Sequence, residues 1–186
     1  IVYIPPKIAH HGVSLDDECI TLSIGYRSYL NNEMLDSLEL PNNTNGTYFE
    51  DPAWGVNLHP AEIPQAAIEQ SQKLLNIKEL PEDFFGCFVT KLDPEDEKKF
   101  NEVMTYQNKE EIEESSLYRL HPICRVAYQL TNKKLMVFIN GEVFDCSNID
   151  YDLVIDFANS RQLRLNNKNR ALAEQLISLS LIEKST

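Results

Sequence analysis

IVYIPPKIAHHGVSLDDECITLSIGYR, residues 1–27, joins a proline-flanked pair of histidines to an alternating segment. From Cys19 onward its residues alternate. Cys19, Thr21, Ser23, Gly25 and Arg27 point one way; Ile20, Leu22, Ile24 and Tyr26 point the other, toward packing, as in a strand with one buried face. Two adjacent histidines, His10 and His11, follow a Tyr-Ile-Pro-Pro approach and precede Gly12. A histidine on a short loop between two strands is how a β-barrel enzyme presents a metal ligand to its own mouth. That geometry suits iron held by two histidines and one carboxylate, with positions open for substrate and oxygen.

The order of these residues is also similar to that of a known family. Tyr3-Ile4-Pro5-Pro6, then His10 with Gly12 two places on, then Ser23-Ile24-Gly25-Tyr26-Arg27 resemble the C-terminal edge of a JmjC-type (cupin) double-stranded β-helix. More narrowly, they resemble the bacterial ribosomal oxygenases, iron(II)- and 2-oxoglutarate-dependent enzymes that hydroxylate an arginine side chain of a large-subunit ribosomal protein. The resemblance continues through Tyr48-Phe49, Asp51-Pro52, His59-Pro60-Ala61 and Pro81-Glu82-Asp83-Phe84-Phe85-Gly86. It covers nearly the whole chain and is loosest after about residue 115. One departure stands at the end of the strand, where the family continues with Ala-Pro and this chain has Ser28-Tyr29.

The resemblance implies that His10, by its spacing from Tyr3-Ile4-Pro5-Pro6, is the iron ligand and that His11 points elsewhere. It also implies a His-x-Asp pair from an earlier strand. The chain has four histidines, His10, His11, His59 and His121, and none is followed two residues later by Asp or Glu. The expectation is therefore the C-terminal part of a larger enzyme, or a truncated or split product, inactive as these 186 residues alone. Thr21 and Ser23 share the polar face of the strand. If that face lines the barrel, their hydroxyls are placed to bond the 2-oxoglutarate cosubstrate or its waters; ordinary strand polarity is the other reading. His59 and His121 each precede proline and read as loop residues.

Composition bounds the rest. With 186 residues, 42% hydrophobic and 25% charged, the chain has the balance of a globular protein large enough to build a core without disulfides. No apolar run approaches the roughly 18 residues that a membrane span needs, and residues 1–7, broken by Pro5, Pro6 and Lys7 with no basic stretch before them, do not read as a signal peptide. Cys19, Cys87, Cys124 and Cys146 lie far apart with no C-x-x-C pair, which reads as reduced core thiols rather than a zinc site or disulfide framework. The net charge of −12 disfavours direct nucleic-acid binding, whose affinity comes mostly from phosphate neutralisation. It favours encounter with a basic partner, in keeping with a ribosomal-protein substrate in the cytoplasm.

An α+β organisation in three parts follows: residues 1–27 as the last strands of the barrel, 28–115 as a helical dimerisation region, and 116–186 as a winged-helix-like module. Ser28 is read as the cap of a helix to about Leu40, with Leu30, Met34 and Leu38 on one face. A second helix is read over residues 61–76, with Pro64 in its first turn, and a third from Pro81. Between Asp93 and Glu114 nine acids face three lysines, giving a solvated helix and linker or a docking surface for a basic partner. From Ser116 the period changes to that of strands. Residues 132–134 form a hairpin link, Asn140-Gly141 a tight turn, and Asp150 a helix cap. A short strand with Leu163 and Leu165 precedes a last helix from Asn167. Arg161, Arg164, Lys168 and Arg170 make a basic cluster with no acid among residues 161–170. A non-catalytic dimerisation or adaptor protein, and a nucleic-acid binder using that cluster, are the alternative readings.

Overall fold

A computed structural model describes residues 11–13, 28–42, 46–52, 59–106, 112–131 and 134–185. Four helices come first: α1 (Asn31–Ser37), α2 (Gln65–Leu75), α3 (Phe84–Thr90) and α4 (Pro94–Tyr106). A mixed part follows: β1 (Leu117–Leu120), β2 (Val126–Thr131), β3 (Lys134–Ile139), β4 (Glu142–Phe144), α5 (Tyr151–Ser160), β5 (Gln162–Arg164), α6 (Arg170–Ser178) and β6 (Ile182–Lys184). The barrel strands expected within residues 1–27 lie outside the described residues. Among the described residues no helix is long and apolar enough to cross a membrane.

The helices start later than the sequence suggested, each for a local reason. Ser28 does not cap α1; its hydroxyl donates to the carbonyl of Phe49. The helix opens at Asn31 instead, where the Leu30 N–H donates to Glu33 Oε2 at 2.8 Å. The Asn31 side chain accepts from the Thr47 N–H at 2.9 Å. In α2, Pro64 is the cap rather than a first-turn residue, because residues 61–63 are extended. They run parallel to β2, with Tyr128 N–H donating to Ala61 O at 2.8 Å and Ile63 N–H to Tyr128 O at 2.7 Å. Asn159 secures the junction, accepting from Ala61 N–H at 3.0 Å and donating to the Tyr128 hydroxyl at 3.3 Å. This segment covers part of the open edge of β2.

Two antiparallel sheets form, ordered β2-β3-β4 and β5-β1-β6. In the first, Ala127, Phe138 and Val143 lie opposite one another. The β3–β4 turn has Asn140 and Gly141 at φ 53° and 90°, the doubly left-handed pair that a two-residue hairpin needs. Asn140 Oδ1 accepts from Arg125 N–H at 2.9 Å. The buried Thr90 hydroxyl accepts from Gly141 N–H at 3.1 Å and donates to Gly86 O at 2.8 Å, tying the turn to the end of α3. Asp150 caps α5 as expected, accepting from Asp152 N–H at 2.9 Å. β6, not anticipated, returns beside β1 with Leu120 opposite Ile182.

One apolar core holds Tyr118, Leu120, Val137, Val154, Phe157, Leu172 and Leu176. The other gathers Met34, Leu35, Ala67, Leu75, Phe84 and Phe85 against Ala127 and Phe138. The β2-β3-β4 sheet lies between them, one face to each, so the packing runs across residue 115. α3 approaches that sheet so closely that a Cβ on Gly86 would lie 2.3 Å from the ring of Phe138.

The outward main chain of β5 is also occupied. Arg161 and Leu165 bond to Leu120 and Ser116, so in antiparallel register the Gln162 and Arg164 carbonyls turn away from β1. Ser160 Oγ donates to Gln162 O at 3.0 Å and Asn169 Nδ2 to Arg164 O at 2.9 Å. Asn169 is itself buried and also accepts from Asn166 N–H at 2.9 Å.

Candidate functional site

The residues that the sequence put forward for iron and cosubstrate, His10, Thr21 and Ser23, lie outside the described residues. Their neighbour His11 is exposed, as is His59. His121 is buried and structural. Its Nδ1 accepts from Ile123 N–H at 3.4 Å, and its ring stands edge-on to Phe100 with centroids 6.1 Å apart. Among the described residues no group of three or more His, Cys, Asp or Glu could hold a metal ion. The described part of the chain therefore offers no iron donor set of its own.

The acidic segment becomes α4, with Glu95, Asp96 and Glu97 in its first turn, where the helix dipole favours negative charge. Its attachment is polar. The Arg125 guanidinium donates to Lys91 O at 2.6 Å and Asp93 Oδ2 at 2.9 Å, and stands 3.4 Å from Asp96 Oδ2. Phe100 supplies the apolar contact.

The basic cluster divides by what each charge meets. Arg170 is paired, donating to Glu174 Oε1 at 3.0 Å and lying 3.6 Å from Glu114 Oε1. Arg161 donates to Cys124 O at 2.6 Å and Arg164 to Ser115 O at 3.1 Å. Those acceptors are neutral carbonyls, so both side chains are held, and among the described ion pairs neither is matched to a carboxylate. Arg119 joins them from β1. Tyr118 and Leu120 point inward and Arg119 is exposed, opposite Gln162 on β5 and Glu183 on β6. Sequence reading missed Arg119 because the sheet, not proximity in sequence, brings it there. Its signal was the alternation of Leu117-Tyr118-Arg119-Leu120.

Cys87, Cys124 and Cys146 are free. Burial pushes each thiol above its ordinary value, ahead of nearby carboxylates at Cys87 and Cys146 and against the Asn140 hydrogen bond at Cys124. A thiol harder to ionise when folded stabilises the fold below the unfolded thiol pKa. That contribution is lost as pH rises above it, because the unfolded chain then releases protons first. The urea midpoint is expected to fall between about pH 8 and about pH 10. Replacing Cys124 by Ala should flatten that fall, and an unchanged slope would show that this thiol does not contribute.

The solved structure of YcfD, a ribosomal oxygenase from Escherichia coli, is similar at 18% identity with a TM-score of 0.35. The match covers 84% of this chain and 44% of that one, so the chain spans less than half the length of that structure. No curated protein matches. A family model described as ROXA-like winged helix matches residues 70–181. The matched span takes in α3, α4, β1 to β5, α5 and α6. It covers more than half of the chain, which belongs to the ROXA-like winged helix family.

Proposed function

We propose that this chain is the C-terminal part of an iron(II)- and 2-oxoglutarate-dependent oxygenase that hydroxylates an arginine side chain of a basic large-subunit ribosomal protein in the cytoplasm. The observation that supports this reading most is a juxtaposition. A ROXA-like winged helix at residues 70–181 shares one chain with the Tyr3-Ile4-Pro5-Pro6, His10 and Ser23-to-Arg27 pattern. His10 would hold the iron together with a His-x-Asp pair from the rest of the protein, and Thr21 and Ser23 would face the cosubstrate. When bound, iron and 2-oxoglutarate would supply the oxidising chemistry with dioxygen as the oxidant: one of its oxygen atoms would end on the arginine carbon and the other in the succinate formed, with carbon dioxide, from 2-oxoglutarate. The chain's own part is to complete that site, to contribute residues 28–115 to a homodimer, and to draw in a basic substrate through a net charge of −12.

The test is succinate release by the full-length gene product supplied with iron, 2-oxoglutarate and isolated large-subunit ribosomal proteins. The expected result is iron-dependent succinate with a mass gain of one oxygen atom on a single arginine. Silence under those conditions, with iron shown to be bound, would leave the non-catalytic dimerisation or adaptor reading. The same assay on these 186 residues alone is expected to give nothing.

A further inference from the structure

We propose that the outward face of the β5-β1-β6 sheet is a docking surface for an acidic peptide segment of a partner protein. The inward face carries Tyr118, Leu120, Leu163 and Ile182, all buried. The register sets Arg119, Gln162 and Arg164 side by side on the outward face, with Glu183 as the acid at its β6 margin. Exposed Lys168 follows in the turn before α6, and Arg161, just before β5, lies opposite inward-facing Leu120 with its guanidinium on Cys124 O. In a chain with 29 acids against 17 lysines and arginines, a solvated face of average composition would be acidic.

The cations are also left available. Among the described ion pairs, Arg170, Arg125, Lys134 and Lys184 are matched to carboxylates, and Arg119, Arg161, Arg164 and Lys168 are not. On the outward face, Arg164 is oriented by the backbone carbonyl of Ser115. Each guanidinium has five N–H donors in a fixed fork, so donors remain for a carboxylate, the partner that fork fits in bidentate geometry.

Three features choose an acidic peptide. Among the described residues that the register sets on this face there is no aromatic ring on which bases could stack. A nucleic acid reaching past the patch would meet the rest of a chain carrying −12, whereas the charge of a short acidic segment ends where the patch ends. The outward carbonyls of Gln162 and Arg164 are already bonded by Ser160 and Asn169, so the partner meets side chains rather than adding a strand at β5. The proposal is independent of oxygenase activity.

The experiment is fluorescence anisotropy of the full 186-residue chain with a labelled glutamate-rich peptide at low and high salt. Saturable binding that weakens with salt is expected. The double variant Arg119→Gln/Lys168→Gln removes two side chains that make no described hydrogen bond or ion pair, and is expected to weaken binding roughly three- to tenfold. Arg170→Gln, whose charge is already paired, should leave binding unchanged. Absence of saturable binding at low salt, equal affinity of the double variant and the parent, or tighter binding of a DNA duplex than of the peptide would each overturn the proposal.

Discussion

Replacing Gly86 by alanine is expected to destabilise the fold by about 2 kcal/mol, against the sign that helix propensity alone gives. In an exposed helix the exchange stabilises by about 1 kcal/mol. Here the new Cβ would lie 2.3 Å from Phe138 Cε2 and 2.4 Å from Cδ2 and Cζ. Phe138 has no exposed surface and is held between α3 and the sheet, so its ring cannot swing into solvent. Overpacking of this kind costs about 1–3 kcal/mol, occasionally more, and three ring atoms within reach put this site at the upper end. A melting temperature about 4–8 °C lower should accompany it. Adding Phe138→Leu to Gly86→Ala should recover part of the loss, a coupling that a double-mutant cycle reads directly. An alanine variant as stable as its parent would mean that the ring is not seated on this glycine.

Replacing His10 by alanine in the full-length gene product is expected to abolish iron-dependent succinate release and to lower bound iron, measured by elemental analysis independently of turnover. A neutral imidazole is a suitable iron(II) ligand, and the site as proposed has no protein donor in reserve. His11→Ala is the internal control and should retain both iron and turnover. Loss of iron in the His11 variant with retention in the His10 variant would reverse the assignment.

How much of this was legible in the sequence depended on the range of the interaction. The β3–β4 turn was, because Asn140-Gly141 tolerates the left-handed backbone that few other pairs do. So was the start of α5, because the Asp150 side chain bonds two residues away. The starts of α1 and α2 were not. Ser28 and Ile63 look like a cap and a helix-face residue locally, and become strut and strand only through Phe49 and Tyr128. Gly86 reads as a weak helix position until Phe138 arrives on it from another element. β6 has three residues and no turn signature in front of it. For the candidate sites the division is the same. The cluster from Arg161 to Arg170 was visible as a run, Arg119 needed the sheet, and the iron ligand rested on resemblance to a family pattern.

The side chains that occupy the outward carbonyls of β5 bear on how the protein behaves in bulk. Sheets that grow from copy to copy need a strand whose backbone is open along its length. On β5, Ser160 and Asn169 hold the acceptors that an incoming strand would use. Fibril-type growth is thus denied at this margin by residues that also end α5 and begin α6. At this margin, contact between copies is left to side chains.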